Sequence, residues 1–191
     1  MTKKMLVLLA VFFLGSLTIF AINQYFIMPW DGTDLPKMEI PRVVVKKKAR
    51  TLEVFDGEKL VKTYAIALGF EPIGDKEIQG DGKTPEGDFY IFVKNPKSEF
   101  FLSLGVSYPS IDDAKRGLDA NIITKDQHDQ ILKAIGEKKI PLQNTKLGGE
   151  IYIHGEGNSS DWTAGCIALR NKDMKELFDA LAVKTPVRIE P

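Results

Sequence analysis

One thiol and one imidazole are the residues of this chain whose types and spacing could carry out chemistry together. Cys166 is the only cysteine in 191 residues, and it follows His154, one of two histidines, by 12 positions. A thiolate is a strong nucleophile, but a free cysteine with a pKa of ~8.5 is ionised only to about a few per cent at neutral pH. An imidazole that accepts the thiol proton raises that fraction. The pair therefore favours nucleophilic catalysis, with Cys166 as nucleophile and His154 as base.

A glycine-rich loop joins the two residues and can bend enough to bring them together. Gly165, directly before the cysteine, lets the backbone approach a substrate and leaves N–H groups free for a developing oxyanion. Either Asp161 or a backbone carbonyl could orient the imidazole. A buried structural cysteine is the main alternative interpretation. No Cys-x-x-Cys or His-x-x-x-His spacing supports a zinc site, so we predict no metal.

The elements that must position this pair are predicted to form a mainly β domain. Predicted strands cover 42–45, 51–55, 60–68, 88–93, 100–104, 150–153, 166–169 and 187–189. Asp56-Gly57 lies between two apolar runs and indicates a hairpin. Thr124 and Gln127 form the pattern of a capping box, and Asn171 is a good N-cap for a helix whose apolar face carries Met174 and Leu177. The fold class predicted is a sandwich or closed sheet with one or two helices.

The N-terminus predicts a membrane anchor. Residues 5–22 carry no charge and follow two lysines. As a helix they would cover ~27 Å of a hydrocarbon core ~30 Å thick, and the lysines favour a cytoplasmic N-terminal end. The predicted order is a cytoplasmic tip over 1–4, a signal anchor or transmembrane helix over 5–27, a linker over 28–39 and one domain over 40–191. A signal peptide that is cleaved after export is the alternative.

The charge balance excludes one class of partner. Twenty-six basic and 26 acidic residues cancel, so no global field selects nucleic acid. The densest basic run, 46–50, is predicted to be a solvated strand end whose lysines protect an edge. Contact with a polyanionic polymer is the alternative for this run.

Three short motifs resemble those of a known family. They are Ile153-His154-Gly155, then Thr163-Ala164-Gly165-Cys166-Ile167, and, further upstream, Thr84-Pro85-Glu86-Gly87. Together they resemble the L,D-transpeptidase catalytic domain, the YkuD-like family of bacterial cell-wall enzymes, over about residues 40–191. The resemblance implies that Cys166 is the acylated nucleophile and His154 its base, and that no cofactor is needed.

The same resemblance implies roles for further residues. Thr163 would support the active-site loop, and Gly165 would help to form the oxyanion hole, with Gly155 beside them. Additional substrate contacts are expected from Lys83, Tyr108, Trp162 and Arg170. The cation that meets the substrate carboxylates stays open among Lys83, Arg116, Arg170 or another residue. Segment 107–149 would be an insertion that shapes the cleft.

Enzymes of this family attack the carbonyl between meso-diaminopimelate and D-alanine in a peptidoglycan stem peptide. Transfer of the acyl group to an amine gives a cross-link or a tethered lipoprotein. Two positions depart from the family pattern: Ala168 replaces the usual arginine, and Ala164 replaces a residue that is often histidine. Three functions therefore stay open: a transpeptidase anchored in the cytoplasmic membrane and facing the periplasm or wall; a murein hydrolase (an L,D-carboxypeptidase, an endopeptidase or a lipoprotein-detaching amidase); and a non-catalytic wall-binding module.

Overall fold

The structure is a computed structural model that describes residues 35–191. The predicted anchor and the first part of the predicted linker lie outside the described residues. Eight strands and three helices are present in the described part. In chain order they are β1 (Pro41–Lys46), β2 (Thr51–Asp56), β3 (Lys59–Ala65), β4 (Gly87–Ser98), β5 (Phe101–Val106), α1 (Ile111–Asp119), α2 (Lys125–Gly136), β6 (Tyr152–His154), β7 (Ile167–Ala168), α3 (Asn171–Ala180) and β8 (Pro186–Glu190). Within residues 35–191, none of the helices has the length and apolar character needed to span a bilayer.

The strands form one curled sheet in the order β3-β2-β1-β8-β4-β5-β6-β7. β8 pairs parallel with β1 and antiparallel with β4, so it joins two antiparallel groups of strands. The far edge, β7, is bridged to Ala67, two residues after the end of β3: Ala67 and Ala168 exchange two backbone hydrogen bonds of 2.9 Å. The two edges of the sheet therefore meet, and the predicted mainly β class is confirmed.

α3 covers the inside of the curled sheet. Met174, Leu177 and Leu181 are buried in the core with strand residues such as Ile153 and Ile167, as the helical spacing predicts. The predicted cap is wrong by one residue. Arg170 occupies the N-cap position without a side-chain cap.

Asn171, the residue predicted to cap this helix, is its first helical residue instead. Its Oδ1 atom accepts a hydrogen bond of 2.7 Å from the N–H of Glu156. The side chain therefore ties the turn after β6 to the start of α3.

Segment 107–149 packs as two helices around a small core of its own. That core contains Ala114, Ile123, Ile131 and Leu147. The predicted capping box of α2 is present, and α1, which the sequence interpretation missed, has another at Ser110. The segment does not itself line the cavity around Cys166, and its role in shaping a cleft stays a prediction.

The basic run 46–50 is a solvated strand end only in part, because Lys48 is exposed and Lys47 is not. Lys47 is only 2% exposed. Its Nζ atom donates to the carbonyl of Thr84 at 2.9 Å and pairs with Glu86 at 2.7 Å. Arg50 pairs with Asp161, also at 2.7 Å. Lys47 thereby holds the upstream Thr-Pro-Glu-Gly motif, and Arg50 holds the loop before Cys166. Lys47 needs these partners because a buried charge is costly unless it is paired within the protein.

Candidate active site

The loop before β7 places Cys166 beside the N-terminal end of β6. The two strands run parallel, with Ile153 opposite Ile167, so the preceding residues of each strand are also neighbours. The N–H of Tyr152 donates to Cys166 Sγ at 3.4 Å, and the thiol donates to the carbonyl of Glu150 at 3.4 Å. The thiol is thus held by the backbone of the segment that leads to His154.

Cys166 and His154 line the same cavity, whose volume is about 310 Å³. Its other lining residues are Asn95, Lys97, Ser98, Glu99, Phe100, Ser103, Glu150 and Tyr152. Within residues 35–191, Cys166 Sγ makes no hydrogen bond to the imidazole. The two side chains therefore face one space without forming an ion pair in this state.

A backbone carbonyl orients the imidazole. His154 is buried, and its Nδ1 atom lies 2.8 Å from the carbonyl oxygen of Gly155. A carbonyl can only accept, so Nδ1 carries the proton and Nε2 is left as the proton acceptor. Of the two orienting groups considered, the carbonyl is correct and Asp161 is wrong: Asp161 accepts the N–H of Leu68 at 2.8 Å and pairs with Arg50.

Two aromatic rings pack on the imidazole. The ring centroid of Phe100 lies 4.7 Å from that of His154, and Trp162 meets the imidazole edge-on at 5.6 Å. The indole N–H of Trp162 donates to the carbonyl of Gly157 at 3.2 Å. Trp162, predicted to contact substrate, packs on His154 and is not among the lining residues of the cavity. Phe100 lies outside the sequence motif, so its position beside His154 was not predicted.

Burial keeps both reactive groups neutral. It raises the pKa of the Cys166 thiol to about 11, against the opposing effect of the Tyr152 N–H, and the Glu150 carboxylate raises it further. Burial also lowers the pKa of His154, and the hydrogen bond to Gly155 opposes this shift. At neutral pH the site therefore holds a thiol beside a neutral imidazole, which is the form that can act as a base.

Thr163 and Gly165 fix the loop before Cys166. The Thr163 hydroxyl donates to the carbonyl of Cys166 at 2.8 Å and accepts the N–H of Gly165 at 3.2 Å. Gly165 has φ +133°, and a Cβ atom there would stand 2.7 Å from the carbonyl oxygen of Lys83. Only glycine fits such a position without displacing its neighbour. The N–H of Cys166 has no acceptor within the described part of the chain and is available to an oxyanion.

Gly155 is required by packing at the other end of the loop. A Cβ atom there would lie 2.5 Å from Asn171 Oδ1 and 3.1 Å from the carbonyl oxygen of Phe100. Its N–H donates to that same carbonyl at 3.0 Å. The glycine therefore lets β6, the β4–β5 hairpin and the start of α3 approach one another.

Four residues considered for substrate contact do not line the cavity. Tyr108 lies in the core, fully buried, where its hydroxyl donates to the carbonyl of Leu147 at 3.0 Å. Arg170 pairs with Asp173 in the first turn of α3. Arg116 pairs with two aspartates, Asp75 and Asp113. Lys83 lies next to Gly165 through its main-chain carbonyl.

Lys97 is the one lysine or arginine among the lining residues of this cavity. Sequence reasoning missed it because it lies on the β4–β5 hairpin, far from the motif. The register that pairs Ser103 with His154 brings the hairpin to the site. Within residues 35–191, no group of three or more His, Cys, Asp or Glu side chains could hold a metal ion.

Comparisons with known proteins agree on one family. The model of the YkuD family, L,D-transpeptidase catalytic domain, matches residues 40–189. YafK of Escherichia coli (strain K12) is 24% identical over 143 residues, which are 71% of this chain and 45% of that protein.

Two solved structures share the fold. The helical cell shape determining protein Pgp2 from Campylobacter jejuni is 23% identical, with a TM-score of 0.55 over 83% of this chain and 50% of that one. Bdellovibrio bacteriovorus Bd1075 is 24% identical, with a TM-score of 0.51 over 82% and 52%. The chain spans about half the length of these relatives.

Proposed function

Since the chain belongs to the family of YkuD L,D-transpeptidase catalytic domains, we propose that it is a cysteine-dependent acyltransferase that acts on peptidoglycan stem peptides. The observation that carries the proposal is that Cys166 and His154 line one cavity. Thr163 and Gly165 hold the loop that carries the nucleophile. Cys166 is the nucleophile of this proposal, and His154 is its general base.

The proposed first step forms a thioester. The Cys166 side chain turns from the Glu150 carbonyl toward His154, whose Nε2 atom takes the thiol proton as Sγ attacks the carbonyl between diaminopimelate and D-alanine. The Cys166 N–H binds the oxyanion that develops. The C–N bond then breaks, and His154 returns its proton to the departing amine of D-alanine.

The proposed second step decides the product. An acceptor amine attacks the thioester, His154 removes its proton, and the thiol is regenerated with a new amide bond. The amine can belong to a second stem peptide or to a wall-linked lipoprotein. With water as acceptor, the same geometry releases a tripeptide carboxylate.

Hydrolysis is the second candidate, because Ala168 stands where the family pattern has an arginine that would contact the substrate. Ala168, in β7, is fully buried. It lies opposite His154 of β6 and is bridged to Ala67 on its other side. An arginine at this position would have to displace the packed strands. Because Arg170 pairs with Asp173, we assign recognition of a donor carboxylate to Lys97.

Incubation of the full-length chain in detergent with tetrapeptide muropeptides tests the proposal. We expect tetrapeptides to disappear in the presence of the wild type and to persist with Cys166→Ala or His154→Gln. His128→Gln is the matched control, because this second histidine lies on α2 beside Asp129. Dimers among the products indicate transfer, and tripeptides indicate hydrolysis. Unchanged muropeptides with wild type, together with wall binding that Cys166→Ala retains, would leave only the non-catalytic module.

A carbapenem identifies the nucleophile independently of the acceptor. This β-lactam acylates a reactive thiol, so intact-mass spectrometry should show one adduct that maps to Cys166. His154→Gln should slow its formation, and His128→Gln should not. An adduct elsewhere, or none, counts against Cys166 as nucleophile.

A further inference from the structure

Glu150 lines the cavity beside Cys166, and its carboxylate is close enough to the thiol to act on its charge. Its main-chain carbonyl oxygen accepts a hydrogen bond from Cys166 Sγ at 3.4 Å, and the residue itself is exposed. Its φ of +55° lies in the left-handed region, which is uncommon for a residue with a Cβ atom. Gln143 secures this conformation, because its Oε1 atom accepts the N–H of Glu150 at 2.7 Å. The backbone is therefore held in a strained conformation at a residue that lines the cavity.

This negative charge works against the nucleophile. A carboxylate near a thiol disfavours the thiolate, and the Glu150 carboxylate adds to burial in raising the pKa of Cys166. Lys76, which acts in the opposite direction, is committed to an ion pair with Asp81. A glutamine of the same shape would leave the thiol easier to ionise. A role in activating Cys166 therefore does not explain why residue 150 carries a negative charge.

Within residues 35–191, no cation pairs with the Glu150 carboxylate, and no donor binds it. The ionisable lining residues of the cavity are Lys97, Glu99, Glu150, Tyr152, His154 and Cys166. With a neutral imidazole and thiol, one positive and two negative charges face the space. The cavity thus suits a ligand that carries a positive group and, for Lys97, a carboxylate.

We propose that Glu150 is a specificity-determining residue that binds an ammonium group on the side chain of the acyl donor. The inference rests on the proposed function, and the diaminopimelate side chain ends in a carbon that bears both an ammonium and a carboxylate. Lys97 complements that carboxylate. Bound ammonium neutralises the charge that opposes ionisation of Cys166. The correct donor therefore makes its own nucleophile easier to ionise, and the empty site keeps the thiol protonated.

Glu150→Gln in the full-length chain separates this role from a structural one, because two readouts should move in opposite directions. Without substrate, alkylation of Cys166 by the neutral reagent iodoacetamide should become several-fold faster at pH 8. With a tetrapeptide donor, kcat/KM should fall about ten- to hundredfold, the usual effect of losing a hydrogen bond between charged groups. Donors whose side-chain ammonium is acetylated should show a much smaller fall. Glu58→Gln removes a carboxylate that is 99% exposed at the β2–β3 turn and should change neither readout.

Equal losses on free and acetylated donors, or slower alkylation, would overturn the role of Glu150. A wild type that consumes neither donor would remove the proposed function instead. In that case calorimetry with Cys166→Ala decides: tighter binding of the free than of the acetylated tetrapeptide supports the ammonium contact, and equal affinities refute it.

Discussion

At the scale of single residues, the surroundings of Cys166 keep its thiol protonated at neutral pH. Cys166 Sγ is held by the backbone at residues 150 and 152, and burial raises its pKa to about 11. The thiolate is the form that oxidants attack. A lone cysteine predicted to lie outside the cytoplasm therefore gains protection from the same burial that makes it a slow nucleophile at rest.

The raised pKa gives a prediction about pH. Alkylation of wild-type Cys166 by iodoacetamide should keep accelerating above pH 9, because the folded thiol ionises near pH 11 and the unfolded one near 9.0. Between these values the folded state holds the proton more tightly. The free energy of unfolding should therefore fall as pH rises from 9 toward 11.

Alkylation rates and urea unfolding between pH 7 and 11 check both parts. Cys166→Ser is the control for stability, because its hydroxyl does not titrate in this range and the tyrosines contribute equally to both proteins. Alkylation that levels off below pH 9 would show that the thiol is more acidic than its surroundings indicate.

At the scale of elements, one ion pair fastens the β1–β2 turn to the loop that carries the nucleophile. Arg50 and Asp161 are 111 residues apart in the chain, and the guanidinium contacts both carboxylate oxygens at 2.7 to 3.1 Å. The same carboxylate accepts the N–H of Leu68. Asp161 precedes Trp162, which packs on His154. We therefore expect the Arg50–Asp161 pair to position His154 through Trp162.

Arg50→Met should lower both stability and activity. Loss of a bidentate, partly buried pair should cost about 1–2 kcal/mol of unfolding free energy, discounted for its partial exposure. It should also lower kcat more than KM, because the base is displaced and the cavity walls are kept. Urea unfolding and steady-state kinetics measure the two effects.

Arg188→Met is the matched control for this prediction. Arg188 pairs with Asp88, and both of these side chains are more exposed than those of Arg50 and Asp161. Its loss should cost at most about 1 kcal/mol and leave kcat unchanged. Equal behaviour of the two variants would mean that the Arg50 pair does not position the site.

Elements with a strong local pattern were predictable from the sequence. The β2–β3 hairpin, the capped helix α2 and the apolar face of α3 all follow from short-range periodicity. α1 was missed because its buried residues are Asp113, Ala114 and Gly117, which give no apolar stripe. The spacing Ser110-x-x-Asp113 was the one usable signal for it.

In the candidate site, only residues that belong to the sequence motif could be predicted. Cys166, His154 and Thr163 lie within one run of sequence, so their proximity could be inferred. Lys97 and Phe100 reach the cavity through the pairing of β5 with β6, which joins residues about fifty apart in the chain. No periodicity encodes such a register, and none encodes the burial of Tyr108.

At the scale of the whole molecule, the chain is proposed to be held in the cytoplasmic membrane by residues 5–27. We expect the full-length protein to stay in the membrane fraction after an alkaline wash, because a charge-free helix of this length nearly spans the hydrocarbon core. Protease added to spheroplasts should digest the domain. Deletion of residues 5–27 should leave the protein unexported.

Mass spectrometry of the purified protein separates the anchor from a cleaved signal peptide. An intact N-terminus supports the anchor. A shorter, soluble protein in the periplasm would contradict it and identify the segment as a signal peptide.

The central place of β8 has a consequence for how activity arises during export. This strand, residues 186–190, is the only one that pairs with both β1 and β4 in the described sheet. With the N-terminal tip kept in the cytoplasm, the domain crosses the membrane from its anchor-proximal end onward, so Cys166 crosses before these residues do. Until then the two antiparallel groups of strands lack the strand that joins them at the centre of the sheet. Full activity is therefore expected only after residues 186–190 have crossed the membrane and paired with β1 and β4.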